Sequence, residues 1–280
     1  MMIAFPTLRW NRMQIRLLST LLPIALLLTC SGFTASVQAQ ITRVVDVPSR
    51  PGVTQRLLVI TPEQPKAAVI LFAGGDGGLT LEADGRIPNL SGNFLVRSRQ
   101  LFVEQGFTTA IIDAPSDRQT PPYLSGSRQT AEHVADVRAT IAWLRQQAQI
   151  PVWLIGTSRG TQSVGYVATQ LSVAEGGPDG IVLTSSIVHD PRSRALPGMA
   201  LDRIRIPVLV THHRDDSCRV TRFEDVPQLM AQLTTPPRRE LLVFEGGSNT
   251  GNPCGAQAYH GYNGIERDVV SRIAAWITRP

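Results

Sequence analysis

Six short runs of nearly unbroken apolar character recur along the chain: AAVILFA (67–73), TTAIID (108–113), VWLIG (152–156), IVLTSS (181–186), PVLVTH (207–212) and LLVFE (241–245). A strand with one wet face alternates polar and apolar positions. Continuous runs instead predict strands buried on both sides, as in a parallel sheet covered by helices. Between these runs the period changes. In RQTAEHVADVRATIAWLRQQA, Val134, Val137, Ile141 and Leu144 fall at three- and four-residue steps and form one apolar helical stripe. Val164, Val167, Ala168 and Leu171 repeat the pattern, and Val269, Ile273 and Trp276 do so near the C-terminus. Two segments ahead of the first long run, TRVVDV (42–47) and QRLLVIT (55–61), read as antiparallel lead-in strands. Strands alternating with crossovers of this length predict an α/β fold: a doubly wound, mostly parallel sheet with helices on both faces. Only about twenty residues separate IVLTSS from PVLVTH, so no large cap domain is expected. The chain shows no internal repeat, low-complexity tract or linker.

The first 39 residues follow a different logic. Arg9, Arg12 and Arg16 form a cationic start, Leu17 to Leu28 is apolar, and a polar stretch leads to SVQAQ, with Val37 and Ala39 small. That order predicts a secretory signal peptide cleaved after Ala39. The apolar run is about a dozen residues, short for a bilayer span. Processing as a lipoprotein at Cys30 is the alternative, disfavoured by Thr29 just before it. Residues 40–280 then form one domain, and export to the periplasm or medium is expected.

Removing the leader changes the charge picture. The formal charge of +5 drops to +2, because the leader holds three arginines and no acid. No basic cluster with interleaved aromatics remains, which argues against a nucleic-acid partner. Removing Cys30 leaves Cys218 and Cys254, and two thiols in an oxidising compartment are expected to form a disulfide. No Cys-x-x-Cys or His-Glu-x-x-His spacing suggests a metal site.

One short stretch carries chemistry. In PVWLIGTSRGTQS (151–163) an apolar strand ends at Gly156 and a helix begins near Arg159, so Ser158 occupies the tight turn between them. A G-x-S-x-G pentapeptide is weak by itself, but its place between strand and helix gives it meaning. A serine there must adopt a strained backbone conformation, at a cost of about 1–3 kcal/mol. A Cβ at position 156 or 160 would add a clash. The turn lifts the hydroxyl clear of the sheet, and the helix start aims unpaired N–H groups at the same spot. Arg159, a cation in the first helical turn, opposes the helix dipole by about 0.3–1 kcal/mol. A nearby carboxylate partner is expected for it, with attraction of an anionic substrate group as the alternative.

With this elbow on a doubly wound sheet, the chain resembles the α/β-hydrolase superfamily over most of residues 40–280, and more its compact esterases and dienelactone-hydrolase-like members than its lidded lipases. The resemblance implies a triad in the chain order nucleophile, acid, histidine, with Ser158 as nucleophile. The acid comes from VLVTHHRDDSC. The family often shows His-Gly-x-x-Asp there, and counting from His212 leads to Asp216, with His213 in place of the glycine. Asp215 is the near rival, and Asp190, after the preceding strand, a further one. His260 in CGAQAYHGYNGIE follows the last strand and precedes the final helix, as the resemblance requires. His133 falls within a helix, His189 after the wrong strand, and His212 and His213 beside the acid. A bridge between Cys218 and Cys254 would tie the acid loop to the histidine loop. LFAGGDGGL (71–79) occupies the place where the family builds half of its oxyanion hole. By resemblance the donors are the backbone N–H groups of Gly75 and Arg159, with Asp76 next in line, although Ala73 stands where the family usually has histidine. A phosphate-binding loop is the rival there, but no Gly-Lys-Ser/Thr follows. The resemblance implies no cofactor and a small-molecule ester or acyl substrate, cleaved through an acyl-enzyme. A thioesterase or peptidase would use the same parts, and a catalytically idle binding protein would use the same fold.

Overall fold

The computed structural model describes residues 1–4, 6 and 39–279. Arg9, Arg12, Arg16, the apolar run and Cys30, on which the leader and lipoprotein expectations rest, lie outside the described residues. Every element below belongs to the unit Gln38–Pro280.

Eight strands form one sheet: β1 (Gln40–Arg50), β2 (Val53–Pro62), β3 (Ala67–Phe72), β4 (Phe107–Pro115), β5 (Val152–Thr157), β6 (Gly180–Thr184), β7 (Val208–His213) and β8 (Arg239–Phe244). Their spatial order is β1-β2-β4-β3-β5-β6-β7-β8. β1 and β2 pair antiparallel, as does β2 with β4, and all other neighbours pair parallel. The helices are α1 (Phe94–Arg97), α2 (Arg99–Glu104), α3 (Ala131–Gln147), α4 (Gly160–Gln170), α5 (Val226–Gln232) and α6 (Glu266–Ile277). This is the architecture that the apolar periodicity predicts, without a large cap.

The continuous apolar runs have a direct physical reason. Successive strand residues point to opposite faces, and both faces are covered. Ala68, Ile70 and Phe72 join the core under α3, α4 and α5, where Val137, Ile141, Leu144, Val164, Val167 and Leu229 meet them. Their neighbours Ala67, Val69 and Leu71 join the opposite core with Phe94, Phe102, Val269, Ile273 and Trp276 of α1, α2 and α6. β8 departs from this pattern. It is an edge strand, and only Phe244 of its six residues is fully buried, so the reading of 241–245 as buried on both faces fails there. Along its outer edge no further strand pairs with it. Among the described residues no helix is long and apolar enough to cross a membrane.

Candidate active site

The carboxyl ends of β3, β5 and β7 bring the chemistry-bearing residues to one edge of the sheet. Ser158 lies between β5 and α4 with φ of +52°, a left-handed conformation that is rare for residues with a side chain. The flanking glycines have no alternative. A Cβ on Gly160 would lie 2.1 Å from the Phe72 carbonyl oxygen, and one on Gly156 would lie 2.5 Å from that of Gly160. Close passage of α4 across the ends of β3 and β5 therefore demands bare backbone at both positions. Hydrogen bonds hold the strained turn. Ser158 N donates to Thr184 O on β6 (3.0 Å), while Thr161 N (2.9 Å) and Thr161 Oγ1 (2.6 Å) donate to Ser158 O.

Asp216 and His260 meet although they are far apart in the chain. His260 sits in a single helical turn, Tyr259–Gly261, and its Nδ1 lies 3.0 Å from Asp216 Oδ2. An ionised carboxylate only accepts, so Nδ1 carries a proton. Thr221 Oγ1 donates to the same Asp216 oxygen (3.0 Å) and stands 3.0 Å from His260 Nδ1. His212 Nε2 lies 2.6 Å from the Thr221 carbonyl oxygen and 3.3 Å from Asp216 Oδ2. Since the carbonyl only accepts, His212 is protonated on Nε2. The other Asp216 oxygen accepts from Cys218 N (3.0 Å). Burial by itself would raise the Asp216 pKa, but the hydrogen bonds from His212 and His260 outweigh it and hold the carboxyl below the usual range.

The rivals stand elsewhere. Asp215 is exposed, and only its backbone N–H is engaged locally, donating to His213 Nδ1. Asp190 is the carboxylate partner of Arg159, at 2.7 Å. Gln162, Ser193 and the Arg192 backbone N–H also donate to it. Burial raises its pKa, yet these bonds and the Arg159 guanidinium keep it below the usual carboxylate range. His213 stacks on Tyr259 at 4.3 Å, and His133 is buried with both ring nitrogens unpartnered, its pKa lowered by burial to about 3.

The Cys218–Cys254 disulfide expected from the sequence is present, with the two Cα atoms 4.6 Å apart. It joins the loop after β7 to the loop before His260. A second tether is polar: Ser185 Oγ donates to the His260 carbonyl oxygen (2.7 Å), and Tyr262 Oη donates to the Thr211 carbonyl oxygen (2.9 Å). Burial raises the Tyr262 pKa, so this phenol stays a donor.

Ser158 and His260 line one cavity of about 310 Å³ with Gly74, Gly75, Leu90, Asn93 and Cys254. No hydrogen bond links the Ser158 hydroxyl to the imidazole, whose partners are Asp216 and Thr221. Gly75 has φ of +58°, and a Cβ on Gly74 would touch Ser158 Cβ at 3.0 Å. The glycine loop after β3 is thus packed directly on the elbow. Buried Asp113 holds the far end of that loop, accepting from Leu79 N (2.6 Å) and Leu81 N (2.8 Å). Among the described residues no cluster of three or more His, Cys, Asp and Glu side chains is placed to hold a metal ion.

Sequence reasoning missed Thr221, His212 in its bonding role, Ser185 and Tyr262. Each acts through a contact between loops, and no spacing along the chain announces such contacts. Only the proximity of Thr221 to Asp216, five positions away, offered a hint.

No family model matches the sequence, and no curated protein matches it. An esterase from Pyrococcus furiosus superposes with a TM-score of 0.58 at 14% identity, covering 85% of this chain and 92% of its own. A dienelactone hydrolase from Anabaena variabilis superposes with a TM-score of 0.57 at 14% identity, over 85% of this chain and 97% of its own. An alpha-beta serine hydrolase homologue from Coxiella burnetii gives a TM-score of 0.56 at 18% identity, over 84% and 97%. The chain has the α/β-hydrolase fold.

Proposed function

We propose that this protein is an exported serine hydrolase that cleaves a carboxylic ester or related acyl bond of a small molecule. One observation carries the reading. A serine in a strained strand-to-helix turn shares a cavity with an imidazole whose Nδ1 is engaged by a buried carboxylate. Fold alone would not suffice, since one fold hosts many chemistries. In this reading His260 Nε2 takes the proton of Ser158 Oγ as it attacks the carbonyl, and the serine–imidazole contact closes with substrate in place. Asp216 keeps the proton on Nδ1 and stabilises the imidazolium that forms. The backbone N–H groups of Gly75 and Arg159 receive the developing oxyanion. His260 then returns the proton to the leaving group, and water, activated by the same base, releases the acyl group from Ser158.

Two structural features support export: the disulfide, which persists in oxidising compartments, and its position between the two loops it would protect. The chain isolated from the exported fraction should begin at Gln40, as intact mass and N-terminal sequencing will read.

A fluorophosphonate probe tests the activity. Labelling of Ser158 that disappears in Ser158→Ala is the expected result, with hydrolysis of para-nitrophenyl esters falling about a million-fold in that variant. A wild-type protein that neither labels nor turns over any member of a chain-length series of esters and thioesters would refute the reading.

A further inference from the structure

The glycine loop after β3 is gripped by a single buried cation. Arg128, only 5% exposed, lies just before α3 and reaches across to the loop. Its Nη2 donates to the carbonyl oxygens of Ala73 (3.1 Å), Gly74 (3.5 Å) and Gly75 (3.2 Å), and its Nη1 donates to Ser163 Oγ on α4 (2.9 Å). Nε has no partner, and among the described residues no carboxylate forms an ion pair with this guanidinium. Burial, with the charge of Arg159 nearby, lowers its pKa to about 10, so it remains a cation at neutral pH. A buried cation held by carbonyls and one hydroxyl, with only the nearby Asp76 charge to offset it, is costly to keep and is not explained by packing alone. The loop is shaped around it: a Cβ on Gly77 would lie 2.6 Å from Arg128 Nη2.

Peptide geometry shows what this grip does. In a trans peptide the C=O and the following N–H point in opposite directions. With the carbonyls of Ala73, Gly74 and Gly75 turned toward Arg128, the N–H groups of Gly74, Gly75 and Asp76 are turned away from it. Gly74 and Gly75 also line the Ser158 cavity, and Gly74 packs on Ser158. We propose that Arg128 is the positioning residue of the oxyanion hole: it aims the loop N–H groups at the space above Ser158 and polarises their peptide units with its unpaired charge. Arg128 acts through the backbone and touches no substrate. Ser163 anchors the guanidinium from the helix that starts at the nucleophile, so loop and elbow share one fixed point.

The inference rests on the hydrolase reading above, and the test separates the two. Fluorophosphonate labelling and ester or thioester turnover by the wild type come first, and the absence of all of them sinks both. With a labelled wild type, Arg128→Ala should lower kcat for a para-nitrophenyl ester about 100-fold while KM changes less than about threefold. Affinity for a trifluoromethyl ketone, whose adduct uses the same donors, should fall by the same factor. Arg128 also lines a surface cavity of about 260 Å³ beside Arg159 and Arg192, which gives a small cation a way in. Added guanidinium should therefore restore part of the lost kcat, whereas sodium chloride of equal ionic strength should not. A purely structural arginine would lower the melting temperature without this kcat-specific loss or its rescue. Should Arg128→Ala fail to fold, Arg128→Lys and Ser163→Ala decide, each with an expected loss of about tenfold in kcat at unchanged KM. A folded variant with wild-type kcat, or with the whole defect in KM, overturns the role of Arg128 and leaves the hydrolase reading standing.

Discussion

The serine elbow and the Asp216–His260 pair occupy the same edge of the sheet, yet different physics holds them. At the elbow the constraint is steric and nearly local: two missing Cβ atoms let α4 cross the ends of β3 and β5, and that crossing forces Ser158 into its left-handed conformation. At the acid–histidine pair nothing is local. Residues 44 apart are joined by side-chain hydrogen bonds, a disulfide and a hydroxyl that touches both partners. The first region is rigid because an alternative cannot fit. The second is ordered because many polar contacts agree, and it should yield one contact at a time.

That contrast is open to attack. The largest expected effect is on Asp216. Asp216→Asn should lower kcat for ester hydrolysis about 10⁴-fold through loss of the correct imidazole tautomer, while Asp215→Asn should leave it within about twofold, as befits an exposed carboxylate making no ion pair. Equal losses in both variants, read by initial rates, would show that the two aspartates share the task. Next comes the disulfide, which links positions 36 apart. Replacing Cys218 and Cys254 together by serine should cost about 4 kcal/mol in urea unfolding on the chain-entropy model. The elbow offers a different response. Gly160→Ala should cost about 3 kcal/mol, since backbone must move to admit the methyl group. A wild-type melting curve for this variant would refute the steric account.

Smaller effects sharpen the picture. Thr221→Val keeps the shape but removes a donor to the Asp216 carboxylate, so kcat should fall about tenfold. The last prediction concerns pH. Hydrogen bonds hold the folded-state pKa of Asp216 below its unfolded value, so the folded protein binds this proton less readily than the unfolded chain. The resulting stability is complete above the unfolded carboxylate pKa of about 3.9 and is lost as pH falls further through the folded value. The unfolding free-energy difference between wild type and Asp216→Asn should be flat from neutral pH down to about pH 5 and shrink below that. A difference growing toward acid would reverse the sign and refute the assignment.

Legibility in the sequence followed the same division. The six apolar runs and the helical stripes marked the strands and helices because burial on both faces imposes a pattern residue by residue. β8 was misjudged in burial since an edge strand carries the same apolar letters as an inner one. Glycines at 156 and 160 announced the elbow because their requirement is set within five residues. The carboxylate expected beside Arg159 was anticipated from charge, yet its identity as Asp190 was not. Ser185 and Arg128 left no mark in the spacing, and Thr221 and His212 only their nearness to Asp216, for the bonds of each are defined by what lies across a loop boundary.

What the amino-acid order determined by itself, then, is the layered sheet, the tight serine turn and the pairing of two cysteines, since periodic burial, backbone sterics and thiol chemistry are properties of short stretches or of composition. What only the tertiary structure decided is which carboxylate faces His260, which one neutralises Arg159, and which side of the glycine loop its N–H groups face. Those are directional contacts between distant segments, and direction in space comes into being only when the sheet brings its loops together.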